Sequence, residues 1–462
     1  MFAQTSRMRW IHAALAAGIV LIAANIAPAA DAPASRPVER PNIISILIDD
    51  MRWDIMSCAG HRFVKTPNID RIAAEGMLFK QACTGATVCA PSRSCLMTGQ
   101  HTGHTTVRAN QSLRTKQRVP LNAGDVTVAK VLKEAGYATG IFGKWGLGEP
   151  ETTGLPNRHG FDDWFGFLNQ DHAVDYYTDY LWRNQNKEIL KGNLNGGKKE
   201  YTTDLFTREA RRFIRQHQRD PFFLYLAYTT PHKDLMVPRD EWYSRENWSE
   251  DDKLYAAMTT WMDRGIGEVT ALLKELKIDD NTLVFFSSDN GAGHKAGLPL
   301  FRSTGPFRGA KSEVWEGGIR APMLARWPGK IKAGAVSEQP WAFWDFLPTA
   351  AELAGAKPPA NIDGISVVPT LTGKKQPQHE FLYWENPGRR FEQAVRMGDW
   401  KAIRQGLDGK IALYDLASDI GETTDLALEN PGVVKRIAEI LRTVRTEAPE
   451  YPIAPNRERK KG

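Results

Sequence analysis

Short, mainly apolar runs recur along the chain and end abruptly in polar residues. The run at 42–48 is followed by two aspartates, and the run at 282–286 is followed by Ser-Ser-Asp-Asn. The runs at 137–142 and 222–228 stop shortly before a lysine and a histidine, respectively. Mainly apolar runs of this length, without polar alternation, are typical of strands that are buried on both faces. We therefore expect these four runs to form buried strands of one sheet.

Segments with helical spacing lie between these strands, at 68–75, 126–134, 202–217 and 252–276. Alternating strands and helices predict a doubly wound α/β fold, a sheet flanked by helices. In such a fold the loops that follow several strands meet at one edge of the sheet, where ligands bind. Each polar residue at a strand end, taken alone, could be a helix cap or a turn former. Taken together, they predict one site.

A predicted helix at 345–354 is followed by a connection that contains prolines and glycines. Beyond it, the runs at 394–403 and 411–416 predict antiparallel strands across a glycine-containing turn, and 433–445 has helical spacing. We expect a large α/β domain over 40–365, which would carry the site, and a smaller C-terminal α+β domain over 366–462.

The segment at 149–199 has little periodicity and many aromatic residues. It is expected to form a long excursion over the site. Its aromatic side chains could contact a sugar or aryl group, or they could pack against one another in a small core of their own.

The first thirty residues are expected to be a signal peptide, because Arg7 and Arg9 precede an apolar run at 11–26 that small residues follow. Cleavage is expected near 29–32. The alternative is a retained membrane anchor, but the run contains Asn25 and falls short of the roughly 20 apolar residues that a span needs. The prediction is a periplasmic or secreted protein without stable membrane insertion; a sequon at Asn247 also permits a eukaryotic secretory protein.

The composition is that of an ordinary globular protein, with 42% hydrophobic and 25% charged residues. The net charge of +6 suits an anionic ligand but is too small to indicate nucleic acid as a partner. An oxidising compartment would allow cysteines to pair. The sequence leaves the pairing of Cys58, Cys83 and Cys95 open.

The fourth cysteine lies in a distinctive motif, Cys89-Ala90-Pro91-Ser92-Arg93, and Met97-Thr98-Gly99 follows it. This motif resembles that of the sulfatase family, of the formylglycine-dependent, arylsulfatase A-like type. The resemblance spans nearly all of the chain after the signal peptide and implies an alkaline-phosphatase-like fold with a mixed sheet. It also implies that a maturation enzyme oxidises Cys89 to formylglycine. The alternatives for Cys89 are a structural thiol, a disulfide partner and an ordinary cysteine nucleophile.

The proposed modification has a chemical rationale. A serine that attacked a sulfate ester would become an equally inert sulfate ester itself. The hydrate of an aldehyde avoids this outcome, because one hydroxyl can attack sulfur while the second re-forms the aldehyde and expels sulfate.

Four further residues indicate a cation site. Asp49 and Asp50 are adjacent at a strand end and would repel each other without a cation, and Asp289 and Asn290 provide further oxygen ligands. The resemblance assigns these four residues and the modified Cys89 to one Ca²⁺. Histidine is missing from this set, which disfavours zinc.

The resemblance also implies roles for basic residues. Arg93 would orient the formylglycine, and Lys144, His232 and Lys311 would contact the sulfate or the leaving group, with His232 as the proton donor. Arg308 lies in the same well-matched segment as Lys311 and is a further candidate for substrate binding. Any one of the lysines could instead be an ordinary surface residue.

One position departs from the family pattern. The family element is Gly-Lys-Trp-His-Leu-Gly, and this chain has Gly146 in place of the histidine, as some bacterial carbohydrate sulfatases do. That histidine is usually given the role of base in sulfate release. His172 and His294 are candidates to replace it and to bind substrate, although each could be an ordinary loop histidine.

The resulting functional prediction is an exported hydrolase that removes sulfate from a sulfated saccharide or an aryl sulfate, with galactose-type sugars implied by resemblance. One alternative is a phosphoester or phosphonate hydrolase, because related enzymes share the formylglycine and the carboxylates. A second is a sugar-binding protein on an inactive sulfatase scaffold, an alternative motivated only by Gly146.

Overall fold

The four apolar runs form the centre of a ten-stranded mixed sheet in a computed structural model of the protein. The structure describes residues 40–239, 242–293, 300–301, 304–388 and 390–453. The predicted signal peptide and His294 lie outside these residues. None of the helices in the described ranges is both long enough and apolar enough to cross a membrane.

The described part of the chain contains strands of very different length, and the longest lie at the centre of the large sheet. The strands are β1 (Asn42–Ile48), β2 (Met77–Phe79), β3 (Ala82–Cys83), β4 (Ala138–Lys144), β5 (Asp163–Phe167), β6 (Tyr180–Arg183), β7 (Asn186–Ile189), β8 (Phe222–Ala227), β9 (Thr282–Ser288), β10 (Met323–Arg326), β11 (Ala335–Ser337), β12 (Trp341–Ala342), β13 (Leu382–Asn386), β14 (Glu392–Met397), β15 (Trp400–Gln405) and β16 (Ile411–Asp415).

Helices connect most of these strands. They are α1 (Pro67–Ala74), α2 (Cys89–Thr98), α3 (Val128–Glu134), α4 (Thr202–Gln216), α5 (Glu250–Glu275), α6 (Glu316–Ile319), α7 (Phe346–Leu353), α8 (Val368–Leu371) and α9 (Pro431–Thr443). Short 3₁₀ helices lie at Ser57–Ala59, Pro156–His159, His172–Val174, Leu194–Gly196 and Phe343–Asp345.

The central strands β9, β1, β8 and β4 are adjacent and mutually parallel. The full strand order is β11-β2-β10-β9-β1-β8-β4-β5-β6-β7. Antiparallel pairs occur only towards the two edges, where β10 pairs with β9 and β6 pairs with β5 in the described sheet. Because the central strands run in the same direction, their carboxyl ends lie along one edge.

Both faces of this sheet are covered, which explains why its central strands are continuously apolar. On β1, Ile43 and Leu47 pack into a core that includes residues of α2, α3 and α7. Ile44 and Ile46 face the opposite core, which contains residues of α1, α4 and α5. The doubly wound α/β fold predicted from the sequence, with a mixed sheet flanked by helices, is therefore confirmed.

The aromatic segment at 149–199 differs from its prediction. It forms β5, β6 and β7, which extend the large sheet, instead of a long excursion without regular structure. The sequence signal was weak because β5 is only five residues long and contains Gly166, and because β7 is largely exposed. Edge strands of this kind lack the continuous apolar pattern of the central strands.

A separate four-stranded antiparallel sheet, β13-β14-β15-β16, forms the core of the C-terminal region. The run at 394–403, predicted as one strand, contains parts of two strands, because the chain turns at Gly398, where φ is +62°. One face of this sheet packs against α9, and its other face packs with Cys83, Cys95 and Trp344 of the larger region. The domain limits at 365 and 366 stay predictions.

A buried ionic network joins the C-terminal sheet to the region around α6. Lys401 of β15 forms salt bridges of 2.9 Å with Glu316 and 2.8 Å with Glu422, and all three side chains are fully buried. Arg320 binds the second oxygen of Glu316. Burial by itself would raise the pKa of Glu316, but the charges of Arg320 and Lys401 hold it well below its usual value. The network therefore balances two buried carboxylates against two buried cations.

We expect the Lys401→Ala substitution to lower the free energy of unfolding by about 3–5 kcal/mol, because it leaves two buried carboxylates with one remaining cation. Urea unfolding followed by circular dichroism measures this change. Lys410→Ala is a matched control, since Lys410 is exposed beside the same sheet, and its effect should stay within about 0.5 kcal/mol. Equal unfolding midpoints for the two variants would contradict the importance of the network.

Candidate active site

The polar residues that follow the central strands meet at the carboxyl edge of the sheet. Asp49 and Asp50 follow β1, Lys144 ends β4, His232 lies just beyond β8, and the Asp289-Asn290 pair follows β9. Since these four strands are parallel and adjacent, their ends deliver these side chains to one place. This arrangement explains how residues far apart in the sequence become neighbours.

The acidic residues and the asparagine form a tight, buried group. The backbone N–H of Asp50 donates to Oδ1 of Asp289 at 3.2 Å. The side-chain amide of Asn290 donates to Oδ1 of Asp50 at 2.7 Å. Asp50 has a φ of +62°, a left-handed conformation that aspartate tolerates better than most residues. Asp49, Asp50, Asp289 and Asn290 are each at most 5% exposed.

Three fixed cations pair with these carboxylates. Lys144 Nζ donates to Asp49 Oδ2 at 2.6 Å, and Arg93 Nη2 donates to Asp289 Oδ2 at 2.8 Å. Lys311 donates to Asp50 Oδ1. Arg93 Nη1 also donates to the backbone carbonyl of Lys144 at 2.8 Å, which ties α2 to the end of β4.

Cys89 lies within this group, at the first residue of α2. Its Sγ lies 3.3 Å from Asp49 Oδ1 and 3.5 Å from Lys311 Nζ. Burial, followed by the charges of Asp289 and Asp49, raises the pKa of the Cys89 thiol far above its ordinary value. An unmodified Cys89 would therefore be a neutral thiol and a poor nucleophile at neutral pH.

His232 completes the group. Its Nε2 lies 3.3 Å from Asp50 Oδ2 and 3.3 Å from Lys311 Nζ. Burial lowers the pKa of His232 to about 4 against the opposing effect of Asp49 and Asp50. The Tyr176 hydroxyl is 3.2 Å from the backbone carbonyl of His232 and donates to that of Thr229 at 3.0 Å, so it holds the loop that carries the histidine.

The carboxylates respond differently to the same surroundings. Burial alone would raise the pKa of Asp49, but Lys144, His232 and Arg93 hold it well below its usual value. In contrast, burial and the charge of Asp49 raise the pKa of Asp289 to about 6. Mutual repulsion of the carboxylates is therefore only partly relieved by the protein's own cations.

The donor set fits a hard divalent cation. Asn290 Oδ1 is buried and has no hydrogen-bond partner among the described residues. The amide nitrogen of the same side chain donates to Asp50. Carboxylate and amide oxygens are the ligands that Ca²⁺ prefers. A bound cation would satisfy this oxygen and reduce the repulsion among Asp49, Asp50 and Asp289.

Two of the other predicted site residues make their contacts elsewhere. His172 Nε2 lies 2.7 Å from Thr178 Oγ1, and its ring packs against Phe167 and Tyr180. Arg308 is exposed, donates to the backbone carbonyl of Glu422 at 2.8 Å and stacks on Trp315. Among the described residues, no hydrogen bond or ion pair joins either side chain to the buried group. Their contact with substrate stays a prediction.

Sequence reasoning missed two residues that shape the site, Asn110 and Gln170. Asn110 Oδ1 accepts a hydrogen bond from the backbone N–H of Ala90 at 3.0 Å, which holds the start of α2 beside Cys89. Gln170 Nε2 donates to the backbone carbonyl of Gly146 at 3.2 Å. Asn110 lies in no charged or strand-end pattern. Gln170 follows β5, and because this strand was not predicted from the sequence, its position at a strand end was not recognised.

All four cysteines are free thiols in the described structure, including Cys58, Cys83 and Cys95. Burial raises the pKa of each of these three thiols.

Comparison with known proteins identifies two family regions in the chain. A family model described as Sulfatase matches residues 41–356. A second model, described as N-sulphoglucosamine sulphohydrolase, C-terminal, matches residues 310–447.

Individual relatives extend over most of the chain. N-acetylgalactosamine-6-sulfatase of Canis lupus familiaris is 34% identical over 421 residues, which cover 84% of this chain and 77% of the relative. A solved structure of Ps i-CgsB in complex with k-i-k-neocarrahexaose has a TM-score of 0.78 at 30% identity, covering 89% of this chain and 94% of that one.

A phosphonate monoester hydrolase of Agrobacterium radiobacter shares the fold, with a TM-score of 0.65 at 21% identity over 88% of this chain and 95% of that one. The family models and the dog relative carry more weight, because they combine sequence identity with coverage of most of the chain. The chain therefore belongs to the sulfatase family and is a hydrolase of sulfate esters, of the arylsulfatase-like type.

Proposed function

We propose that the protein removes sulfate from a sulfated saccharide, with a formylglycine made from Cys89 as its nucleophile and one Ca²⁺ as its cofactor. The observation that carries this proposal is the position of Cys89 Sγ, 3.3 Å from Asp49 and 3.5 Å from Lys311 within the buried group. Support for a saccharide comes from the names of its relatives, an N-acetylgalactosamine sulfatase and a protein solved with a neocarrahexaose. Galactose-type sugars are the substrates that we propose to test first.

The ligands of the cation would be Asp49, Asp50, Asp289 and Asn290, together with the modified residue 89. The unpartnered Oδ1 of Asn290 and the raised pKa of Asp289 support this assignment. When bound, Ca²⁺ would supply Lewis-acid chemistry that lowers the pKa of a coordinated hydroxyl.

The formylglycine would be made by a maturation enzyme, which is a further proposed partner. In the folded chain Cys89 is 2% exposed and every residue of α2 is buried. An enzyme could not reach this cysteine in the folded protein, so we propose that oxidation precedes the folding of α2.

The basic residues of the site would bind sulfate and stabilise charge. Lys144 and Lys311 would provide positive charge for the sulfate oxygens, and the guanidinium of Arg93, held by Asp289, would orient residue 89. Nε2 of His232 lies 3.3 Å from Lys311 Nζ. We assign it the donation of a proton to the leaving oxygen, because the negative charge of a bound sulfate would oppose the lowering of its pKa by burial. His172, His294 and Arg308 remain proposed contacts for the sugar.

We further propose that the protein is exported by its N-terminal signal peptide and acts in the periplasm or outside the cell. The arginines and the apolar run before residue 30 support this location.

Conversion of Cys89 is the first requirement to test. We expect intact-mass analysis of the peptide that contains residue 89 to show an aldehyde when the protein is produced with a formylglycine-generating enzyme. Cys89→Ala should abolish hydrolysis of a chromogenic sulfate ester, whereas Cys58→Ala, which removes a thiol outside the site, should retain it.

The same preparation separates the competing functions. Faster release of phosphate than of sulfate from matched chromogenic esters would favour the phosphoester hydrolase. A fully converted wild type that hydrolyses no member of a panel of sulfated saccharides would favour a sugar-binding protein.

Calcium binding is expected to stabilise the fold as well as to support activity. Adding Ca²⁺ to chelator-treated protein should raise its melting temperature, because the ion binds the folded state and relieves repulsion among buried carboxylates. Asp289→Asn should weaken Ca²⁺ binding at least about tenfold in calorimetry.

Asp408→Asn is the matched control, since Asp408 is exposed in the turn between β15 and β16. Equal calcium affinities for Asp289→Asn and Asp408→Asn would remove Asp289 from the ligand set.

A further inference from the structure

Beside the end of β4, a side chain from another loop occupies the space next to a glycine. Gly146 has a φ of +82°, a left-handed conformation that favours glycine. A Cβ at Gly146 would lie 3.0 Å from Gln170 Nε2, 3.8 Å from Gln170 Cδ and 3.6 Å from Arg93 Cδ. The carboxamide of Gln170 and the aliphatic part of Arg93 therefore border the same space beside Gly146, at the edge of the active site.

The loop that carries Gln170 is held on both sides of it. The side-chain amide of Asn169 donates to Glu149 at 3.1 Å, and Arg118 bridges Glu149 and Asp171. The N–H of Gly146 donates to the carbonyl of Leu168 at 3.0 Å, and Gln170 Nε2 donates to the carbonyl of Gly146. These contacts fix the orientation of the Gln170 amide.

The oxygen of the Gln170 amide lacks a hydrogen-bond donor in the described part of the chain. Gln170 Oε1 is sealed from solvent and has no hydrogen-bond partner among the described residues. A buried acceptor without a donor is unfavourable. Its orientation is set by the bond from Nε2 to Gly146, because exchanging the two atoms would place the oxygen against a carbonyl. The structure therefore presents a fixed acceptor that lacks an O–H or N–H donor.

The position of Arg93 indicates where that donor would come from. Cys89 and Arg93 are four residues apart on α2 and share one face of the helix. Helical side chains lean towards the preceding turn, so the stem of Arg93 covers the turn of Cys89. The Gln170 amide and this stem border the same space beside Gly146. Because solvent does not reach Oε1, a group that belongs to residue 89 is a better candidate donor than a sugar hydroxyl.

We propose that Gln170 Oε1 accepts a hydrogen bond from one hydroxyl of the hydrated formylglycine at position 89, an inference that rests on the proposed function. The thiol of Cys89 carries a single proton, whereas the aldehyde hydrate carries two hydroxyl groups that both need partners. An amide oxygen is not a base at neutral pH, so Gln170 takes up no proton. Its effect is to favour the hydrate over the free aldehyde and to orient its hydroxyl groups.

The test compares Gln170→Met and Gln170→Ala with the wild type after mass analysis has established the aldehyde at residue 89. Hydroxylamine traps the free aldehyde, not the hydrate. Loss of the acceptor should therefore raise the rate of oxime formation about 5- to 30-fold and lower kcat by a similar factor, with KM unchanged. The same fall in kcat is expected for an aryl sulfate and for a sulfated saccharide.

The methionine variant separates this role from simple packing, because methionine nearly preserves the length of the side chain but removes the acceptor. If Gln170→Met forms the oxime at the wild-type rate and keeps the wild-type kcat, the proposal is overturned. A variant whose only change is a raised KM for the saccharide would also overturn it. Gln218→Ala is the control, since Gln218 is an exposed glutamine. Its rate of oxime formation and its kcat should equal those of the wild type. A thiol at residue 89 in wild-type protein would overturn the proposed function itself, whereas an aldehyde with unchanged trapping would overturn only the role of Gln170.

Discussion

The pairing of buried carboxylates with buried cations at the carboxyl edge of the sheet is the interaction on which the rest of the structure depends. Asp49 pairs with Lys144, Asp289 with Arg93, and Asp50 with Lys311. Removing one partner from such a pair leaves an uncompensated buried charge, which is strongly destabilising. The strand ends, α2 and the loop that carries Lys311 must therefore lie at one place, so that each buried charge has its partner. Four adjacent parallel strands place the strand ends there.

The same burial constrains the chemistry. The carboxylates and the protein interior keep the Cys89 thiol protonated, so the environment that suits a metal-bound hydroxyl is unfavourable for a thiolate. Under the proposed function, Cys89 becomes the nucleophile by oxidation to formylglycine before α2 is buried. The repulsion that remains among the carboxylates is the physical reason that a cation is expected to contribute to stability as well as to activity.

The central strands and the buried ionic group were predictable because burial on both faces leaves a strong sequence signal. The four apolar runs correspond closely to β1, β4, β8 and β9, and the polar residues after them are the ones that meet. The edge strands β5, β6 and β7 were missed, since a short or exposed strand has no such pattern. The turn at Gly398 was also missed, although the Gly398-Asp399 pair between the two strands is a recognised hairpin signal.

By itself, the sequence determined the family resemblance, the motif around Cys89 and the charged residues at the strand ends, because these depend on residue type and local spacing. Only the tertiary structure decided which other side chains lie beside them. Arg308, close to Lys311 in sequence, turns towards Glu422 and Trp315, whereas Gln170 and Arg93 border the same space beside Gly146. The reason is that strand order and loop path, not distance along the chain, set which side chains are neighbours.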